Sequence, residues 1–109
     1  MWNEPTDKEL KQIRPVLSSR AYKNPLDVMI YEHFFLGGSD WYASEYDPEY
    51  RLFFGYAILN ADYQMAEWGY YSFDELREIN IKGIQVDRDL YWEPKKAGEI
   101  EKIVKGYKH

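Results

Sequence analysis

The chain has 109 residues, no cysteine and a formal net charge of −5. This length suits one compact core, so we predict a single domain over residues 1–109. The absence of cysteine excludes disulfides and thiolate metal sites, and the absence of a long apolar run or a leader-like N-terminus predicts a cytoplasmic protein with no membrane partner.

The negative charge is concentrated in the middle of the chain. Residues 27–93 contain fourteen acidic and four basic residues. A field of this sign repels phosphate, so we do not expect direct binding of nucleic acid. It favours a protein partner with a basic surface. The simpler alternative is that the acidic side chains only keep an aromatic-rich domain soluble.

The first predicted element is a short helix. Thr6 and Glu9 have the spacing of a capping box, so the helix should begin at Asp7. Pro15 disfavours helical geometry at Arg14 and should end the helix there. Residues 16–25 have no sustained periodicity and are predicted to be irregular.

Four predicted strands follow, because four runs of aromatic and β-branched residues alternate with turn residues. They cover residues 28–36, 41–46, 52–59 and 66–71. The run over residues 52–59 is apolar on both faces, which predicts a central strand covered on both sides.

The last third of the chain predicts further short elements. Ser72 and Glu75 form a capping pair for a second helix, and residues 84–87 read as a short edge strand. A final helix is predicted over residues 99–105. We therefore predict an α+β fold: an antiparallel meander of about four strands, with two to three short helices packed on one face.

The chain also resembles a known family. The segments that carry the likeness are Asp40-Trp41-Tyr42, Phe53-Phe54-Gly55, Glu67-Trp68-Gly69-Tyr70 and Asp87-Arg88-Asp89-Leu90, in this order. On them the chain resembles the bacterial domain-of-unknown-function family numbered 2958. The resemblance implies no catalytic residues. It implies an accessory role on mobile genetic elements, such as blunting a host defence or helping transfer.

One candidate catalytic or ligand site is centred on His33, with Asp40, Glu45 or Glu67 as partners. An imidazole between carboxylates could act as a general base or bind a divalent metal or small ligand. If the first two strands form a hairpin, His33 faces Tyr42 or Ser44, whereas strict alternation points Glu45 to the opposite face. The structural alternative is a histidine stacked among tyrosines, and we expect no cofactor or metal.

A second constellation is Asp87-Arg88-Asp89. With Glu67 or Asp62 it could form an oxygen-rich cation site, but its spacing is not that of an EF-hand loop. The structural interpretation is that Arg88 pairs with a carboxylate such as Glu45 or Glu67 and ties the C-terminal segment to the sheet.

The tyrosine and tryptophan residues support a binding function. Fifteen of the twenty aromatic residues lie between Tyr31 and Phe73. In so small a domain they cannot all be buried, and exposed ones suit a protein interface. The expected contact residues are Asp40, Trp41, Tyr42, Glu45, Tyr46 and Glu49.

From these patterns we expect a non-enzymatic accessory protein that binds another protein through an acidic, Tyr/Trp-rich sheet face. Its target would be a host defence protein or a nucleic-acid-binding protein. Two alternatives stay open. One is a small enzyme, or a ligand or metal binder, at His33 with Asp40, Glu45 or Glu67. The other is a homodimer that uses the aromatic face.

Overall fold

The computed structural model describes residues 1–16 and 24–108, and within them it has three short α-helices and nine strands. The helices are α1 (Asp7–Leu10), α2 (Phe73–Glu78) and α3 (Glu101–Tyr107). The strands are β1 (Met29–Ile30), β2 (Glu32–Leu36), β3 (Ser39–Asp47), β4 (Leu52–Ile58), β5 (Glu67–Ser72), β6 (Asn80–Ile81), β7 (Ile84–Gln85), β8 (Asp87–Arg88) and β9 (Lys95–Lys96).

The main sheet has five antiparallel strands in the order β5-β4-β3-β2-β8. Strands β2 to β5 are neighbours in chain order, so the α+β fold with an antiparallel meander is confirmed. Strands β1 and β9 form one small sheet, and β6 and β7 form another.

The predicted helix starts depend on local capping. Glu9 N–H donates to Thr6 Oγ1 at 3.2 Å, and Thr6 N–H donates to the Glu9 carboxylate at 3.0 Å. Ser72 Oγ caps α2 in the same way by accepting from Glu75 N–H at 3.2 Å. Helix α1 ends at Leu10, before the predicted stop at Arg14, because the next turn tightens to a bond from Ile13 N–H to Leu10 O.

The first predicted strand, over residues 28–36, is divided into β1 and β2. Strand β1 pairs with β9, and only β2 pairs with β3. Tyr31 separates the two and donates its N–H to Ala43 O at 2.8 Å. The irregular segment predicted for residues 16–25 lies mostly outside the described residues, since residues 17–23 are not described.

Helices cover both faces of the main sheet. The first face carries Phe34 and Phe53, and α1 and α2 pack against it through Leu10 and Phe73. The second face carries Tyr42, Tyr56 and Ile58, and α3 packs there through Ile103 together with its N-cap residue Ile100. The helices therefore do not share one face as expected, because β4 is apolar on both sides. The cover predicted for both sides of this strand is present.

A bulge in β3 changes which side chains share a face. Tyr42 pairs with Tyr56 and Glu45 pairs with Phe54, and the register shifts between Ala43 and Glu45. Phe54 and Tyr56 are two residues apart, so Glu45 lies on the second face together with Tyr42. This corrects the expectation that Glu45 points away from Tyr42.

None of the helices in the described ranges is both long and apolar enough to span a bilayer.

Candidate functional site

The expected contact residues lie mostly inside the protein. Asp40, Trp41, Tyr42, Glu45 and Tyr46 are all buried in β3, and only Glu49 is exposed, in the turn after β3. The cause is topological: β3 is the middle strand of the sheet, and both of its faces are covered. An acidic face made of these six residues is therefore not available to a partner in this structure.

On the second face, His33 forms a cluster with the buried carboxylate of Asp40 and with Lys102 of α3. Its Nε2 lies 2.8 Å from Asp40 Oδ1, and Lys102 Nζ on α3 donates to Asp40 Oδ2 at 3.0 Å. Asp89 Oδ2 lies 3.7 Å from His33 Nδ1, which exceeds hydrogen-bond distance. The imidazole stacks on Tyr42 with ring centroids 4.5 Å apart.

The electrostatics of the cluster favour an ionised Asp40. Burial alone raises the pKa of this carboxyl, but the hydrogen bonds from His33 and Lys102 outweigh burial and leave the pKa below its usual value. Burial, together with the Asp40 charge, raises the pKa of Tyr42, so the phenol stays neutral. Asp40 thus joins β2, β3 and α3 through charged hydrogen bonds.

The two other carboxylates of the His33 candidate site do not join this cluster. Glu45 is fully buried beyond the bulge of β3. Glu67 lies on β5, three strands across the sheet from β2, and it pairs with Ala57 on the first face. Within residues 1–16 and 24–108, no group of three or more His, Asp or Glu side chains is arranged to hold a metal ion.

Arg88 links the N-terminal segment to the sheet, through partners other than the predicted Glu45 and Glu67. Its guanidinium donates to Glu9 Oε2 at 2.8 Å and to the backbone O of Asn3 at 2.8 Å, and it lies 3.6 Å from Glu32. The hydrogen bond from Arg88 lowers the pKa of Glu9 to about 2. Burial raises the pKa of Glu32.

An exposed cavity of about 430 Å³ lies at the β5 edge of the main sheet, where β4 ends and β5 begins. We call it the β4–β5 cavity; its lining residues are Ala57, Leu59, Asn60, Asp62, Met65 and Glu67. Leu59 is 53% exposed and Met65 is 73% exposed. The cavity thus combines accessible apolar side chains with two exposed carboxylates, Asp62 and Glu67.

Local hydrogen bonds fix the conformation of the loop between β4 and β5. Asn60 and Ala61 both have left-handed backbone conformations, with φ of 53° and 57°. Ala61 N–H donates to Gly38 O at 2.8 Å, and Asn60 N–H donates to Ser39 Oγ at 2.9 Å. Asp62 Oδ1 accepts from Met65 N–H at 3.2 Å. The bonds to Gly38 and Ser39 anchor the loop between β4 and β5 to the β2–β3 turn and to the start of β3.

The charged residues that line the cavity, Asp62 and Glu67, are both acidic. From Leu52 to Leu76 the sequence has four carboxylates and no Lys or Arg. On the second face, Lys105 of α3 lies 4.6 Å from the Tyr63 ring centroid. The contact residues predicted from the sequence lie between Asp40 and Glu49, so this cavity was not among the predictions. The gap in basic residues between Arg51 and Arg77 was the signal that could have identified it.

Comparison with known proteins identifies a family whose function is unknown. The model of a family described as a protein of unknown function (DUF2958) matches residues 6–100. No curated protein and no solved structure matches the chain.

Proposed function

The chain belongs to the DUF2958 family of proteins of unknown function, and we propose that it is a non-enzymatic protein that binds another protein through the β4–β5 cavity. The observation that carries this proposal is the combination at one exposed place of apolar Leu59 and Met65 with Asp62 and Glu67. Exposed apolar side chains rimmed by polar residues are typical of protein contact surfaces.

The His33 cluster is better suited to holding the fold together than to catalysis. Both carboxylate oxygens of Asp40 are engaged, one with His33 and one with Lys102. One face of the imidazole stacks on Tyr42, and the Trp92 ring lies 5.3 Å away. A general base needs direct or water-mediated access to its substrate. These contacts favour a role in fixing α3 to the sheet.

The partner expected at an acidic surface is a protein with a basic surface. Opposite charge accelerates the encounter of two proteins, and salt weakens it. Proteins that bind nucleic acid carry such surfaces. With the mobile-element setting that the family resemblance implies, a nucleic-acid-binding host protein is the proposed partner class, and its inhibition is the proposed outcome.

The test is affinity capture from a bacterial lysate with matched variants. The double variant Asp62→Asn/Glu67→Gln removes both charges of the cavity while keeping similar side-chain shapes. Glu49→Gln is the control, because Glu49 is an exposed carboxylate outside the cavity. We expect the wild type and Glu49→Gln to capture the same salt-sensitive protein, and the double variant to lose it. Equal capture by the double variant would refute the proposal.

A second candidate function is small-ligand binding at His33, because Asp40 and Asp89 flank its two ring nitrogens. This candidate requires that a ligand reach the imidazole. An NMR titration of the His33 ring signals with divalent cations and a metabolite library tests it. Saturable shifts that disappear in His33→Gln would support ligand binding, and unchanged signals would remove this candidate.

A further inference from the structure

We propose that the segment bound at the β4–β5 cavity is an extended basic peptide of the partner, which adds as a strand beside the N-terminal half of β5. This inference rests on the proposed function and specifies its partner. Strand addition to a sheet edge is a common mode of peptide recognition, in which the backbone supplies hydrogen bonds and alternate side chains supply specificity.

The backbone of β5 is oriented for such an addition. Phe73 N–H donates to Arg51 O at 2.9 Å, and the register with β4 continues without a shift down to Glu67 opposite Ala57. In an antiparallel ladder the residues bonded to the neighbouring strand alternate with residues that point away from it. Phe73 is bonded to β4, and Trp68 lies five residues before it, an odd number. The N–H and C=O groups of Trp68 therefore point away from β4.

The opposite edge of the main sheet is already occupied. Strand β8 has only two residues, and Trp2 forms a parallel bridge with Asp87 on its outer side. Trp2 N–H donates to Val86 O at 2.8 Å. A partner strand is therefore expected at β5 and not at β8.

The first face of β5 has space for a long side chain. Glu67 and Gly69 share this face because they pair with Ala57 and Gly55 of β4. A Cβ placed on Gly69 would meet no heavy atom within 4 Å. A side chain from an added strand can therefore cross Gly69 and place its charged head beside Glu67.

The chemistry of this face selects lysine or arginine. The aliphatic stem of such a side chain can cover exposed Met65, while the head meets the carboxylates of Glu67 and Asp62. Successive side chains of a strand alternate between faces, so basic residues are required at every second position. The intervening side chains would lie on the second face, beside Trp68.

A second copy of this chain is a poor occupant of the same edge. Each copy has a net charge of −5, and pairing of β5 with its own copy would bring two exposed Glu67 carboxylates into one interface. Like charges across an interface oppose association. A basic segment instead neutralises these carboxylates.

The test is an NMR titration of the full chain with blocked seven-residue peptides. One peptide alternates Arg and Thr, and a second alternates Arg and Pro. The two carry equal charge, but proline has no N–H and cannot complete the ladder. We expect saturable shifts at the amides of Glu67, Trp68 and Gly69 with the Arg/Thr peptide. The Arg/Pro peptide should bind at least about tenfold more weakly.

Variants locate the binding. Glu67→Gln should weaken binding of the Arg/Thr peptide severalfold, while Glu49→Gln should leave it unchanged. Gly69→Val should abolish binding by filling the open space. Valine favours strands and meets no neighbour at its Cβ, so an unchanged melting temperature will show that the fold is intact.

The outcomes separate this inference from the proposed function. Equal binding of the two peptides, or no binding of either, overturns strand addition. A dimer in light scattering that Gly69→Val dissociates would overturn it too, by placing a second copy at the edge. The proposed function survives any of these results if Asp62→Asn/Glu67→Gln still loses the captured protein.

Discussion

Gly55→Ala should be the most damaging small substitution in the sheet. Gly55 lies in β4 opposite Ala43, next to the bulge of β3. A Cβ on Gly55 would overlap the carbonyl oxygen of Tyr42, and it would lie 2.8 Å from the Tyr42 carbonyl carbon and 3.1 Å from the Ala43 Cα. Relaxed carbon contacts are about 3.5 to 4.0 Å long. The atoms in the way belong to the backbone of the middle strand, so no side chain can rotate to make room.

The expected loss in free energy of unfolding follows from the displacement of the β3 backbone. Forcing one extra carbon into a packed interior costs about 1 to 3 kcal/mol. Moving β3 away from β4 also weakens ladder hydrogen bonds, each of which contributes about 1 kcal/mol. We therefore expect Gly55→Ala to lower the free energy of unfolding by about 3 kcal/mol or more. That is a large part of the roughly 5 to 15 kcal/mol typical of a domain.

Gly69→Ala is the matched control, because Gly69 pairs with Gly55 across β4 and β5. A Cβ on Gly69 meets nothing within 4 Å, so this variant should be neutral or more stable by up to about 1 kcal/mol. Urea unfolding monitored by circular dichroism and tryptophan fluorescence measures both variants. Surface substitutions usually change the free energy of unfolding by less than about 0.5 kcal/mol. If Gly55→Ala lowers the free energy of unfolding by no more than this amount, the assigned register and bulge are wrong.

Two further predictions concern charged contacts. Glu9→Gln keeps the capping geometry but removes the charge that Arg88 contacts. The pKa of Glu9 falls from 4.5 unfolded to about 2 folded, so the stabilisation is present above pH 4.5 and is lost as the pH falls towards 2. Because Glu9 is 43% exposed, the variant should lose at most about 1 kcal/mol at pH 7. Urea titrations across this pH range should show the difference vanish, and a constant difference would contradict the assignment. Asp40→Asn should cost about 2 kcal/mol, because it weakens two charge-assisted bonds, to His33 and Lys102. Amide hydrogen exchange should then quicken in α3 more than in β4, and unchanged exchange in α3 would contradict the role given to Asp40.

The parts of the fold that were predictable from sequence depend on local interactions. The Thr6–Glu9 and Ser72–Glu75 pairs act within one helical turn, so their spacing alone placed both helix starts. The apolar residues on both faces of β4 likewise placed this strand inside the sheet with cover on each side. Such patterns involve residues that are close in sequence, so they can be recognised in a single sequence.

The parts that were missed depend on distant residues. No residue pattern near Ser44 predicts the bulge that turns Glu45 to the second face. Buried Asp40 accepts a hydrogen bond from Lys102, which is 62 residues away along the chain. An acidic, aromatic strand was taken for a contact surface because composition does not reveal which strand lies in the middle of the sheet. Strand order and helix placement are set by tertiary packing.

The central claim is that a protein partner contacts the β4–β5 cavity. Site-specific photocrosslinking in living cells tests it most directly, with a photoreactive phenylalanine introduced singly at Met65, Tyr50 and Tyr91. All three side chains are highly exposed, at 73%, 71% and 94%, so accessibility alone does not favour the cavity. We expect a crosslinked partner from position 65 that is lost in the Asp62→Asn/Glu67→Gln background. Crosslinks from position 50 or 91 with none from position 65 would contradict it.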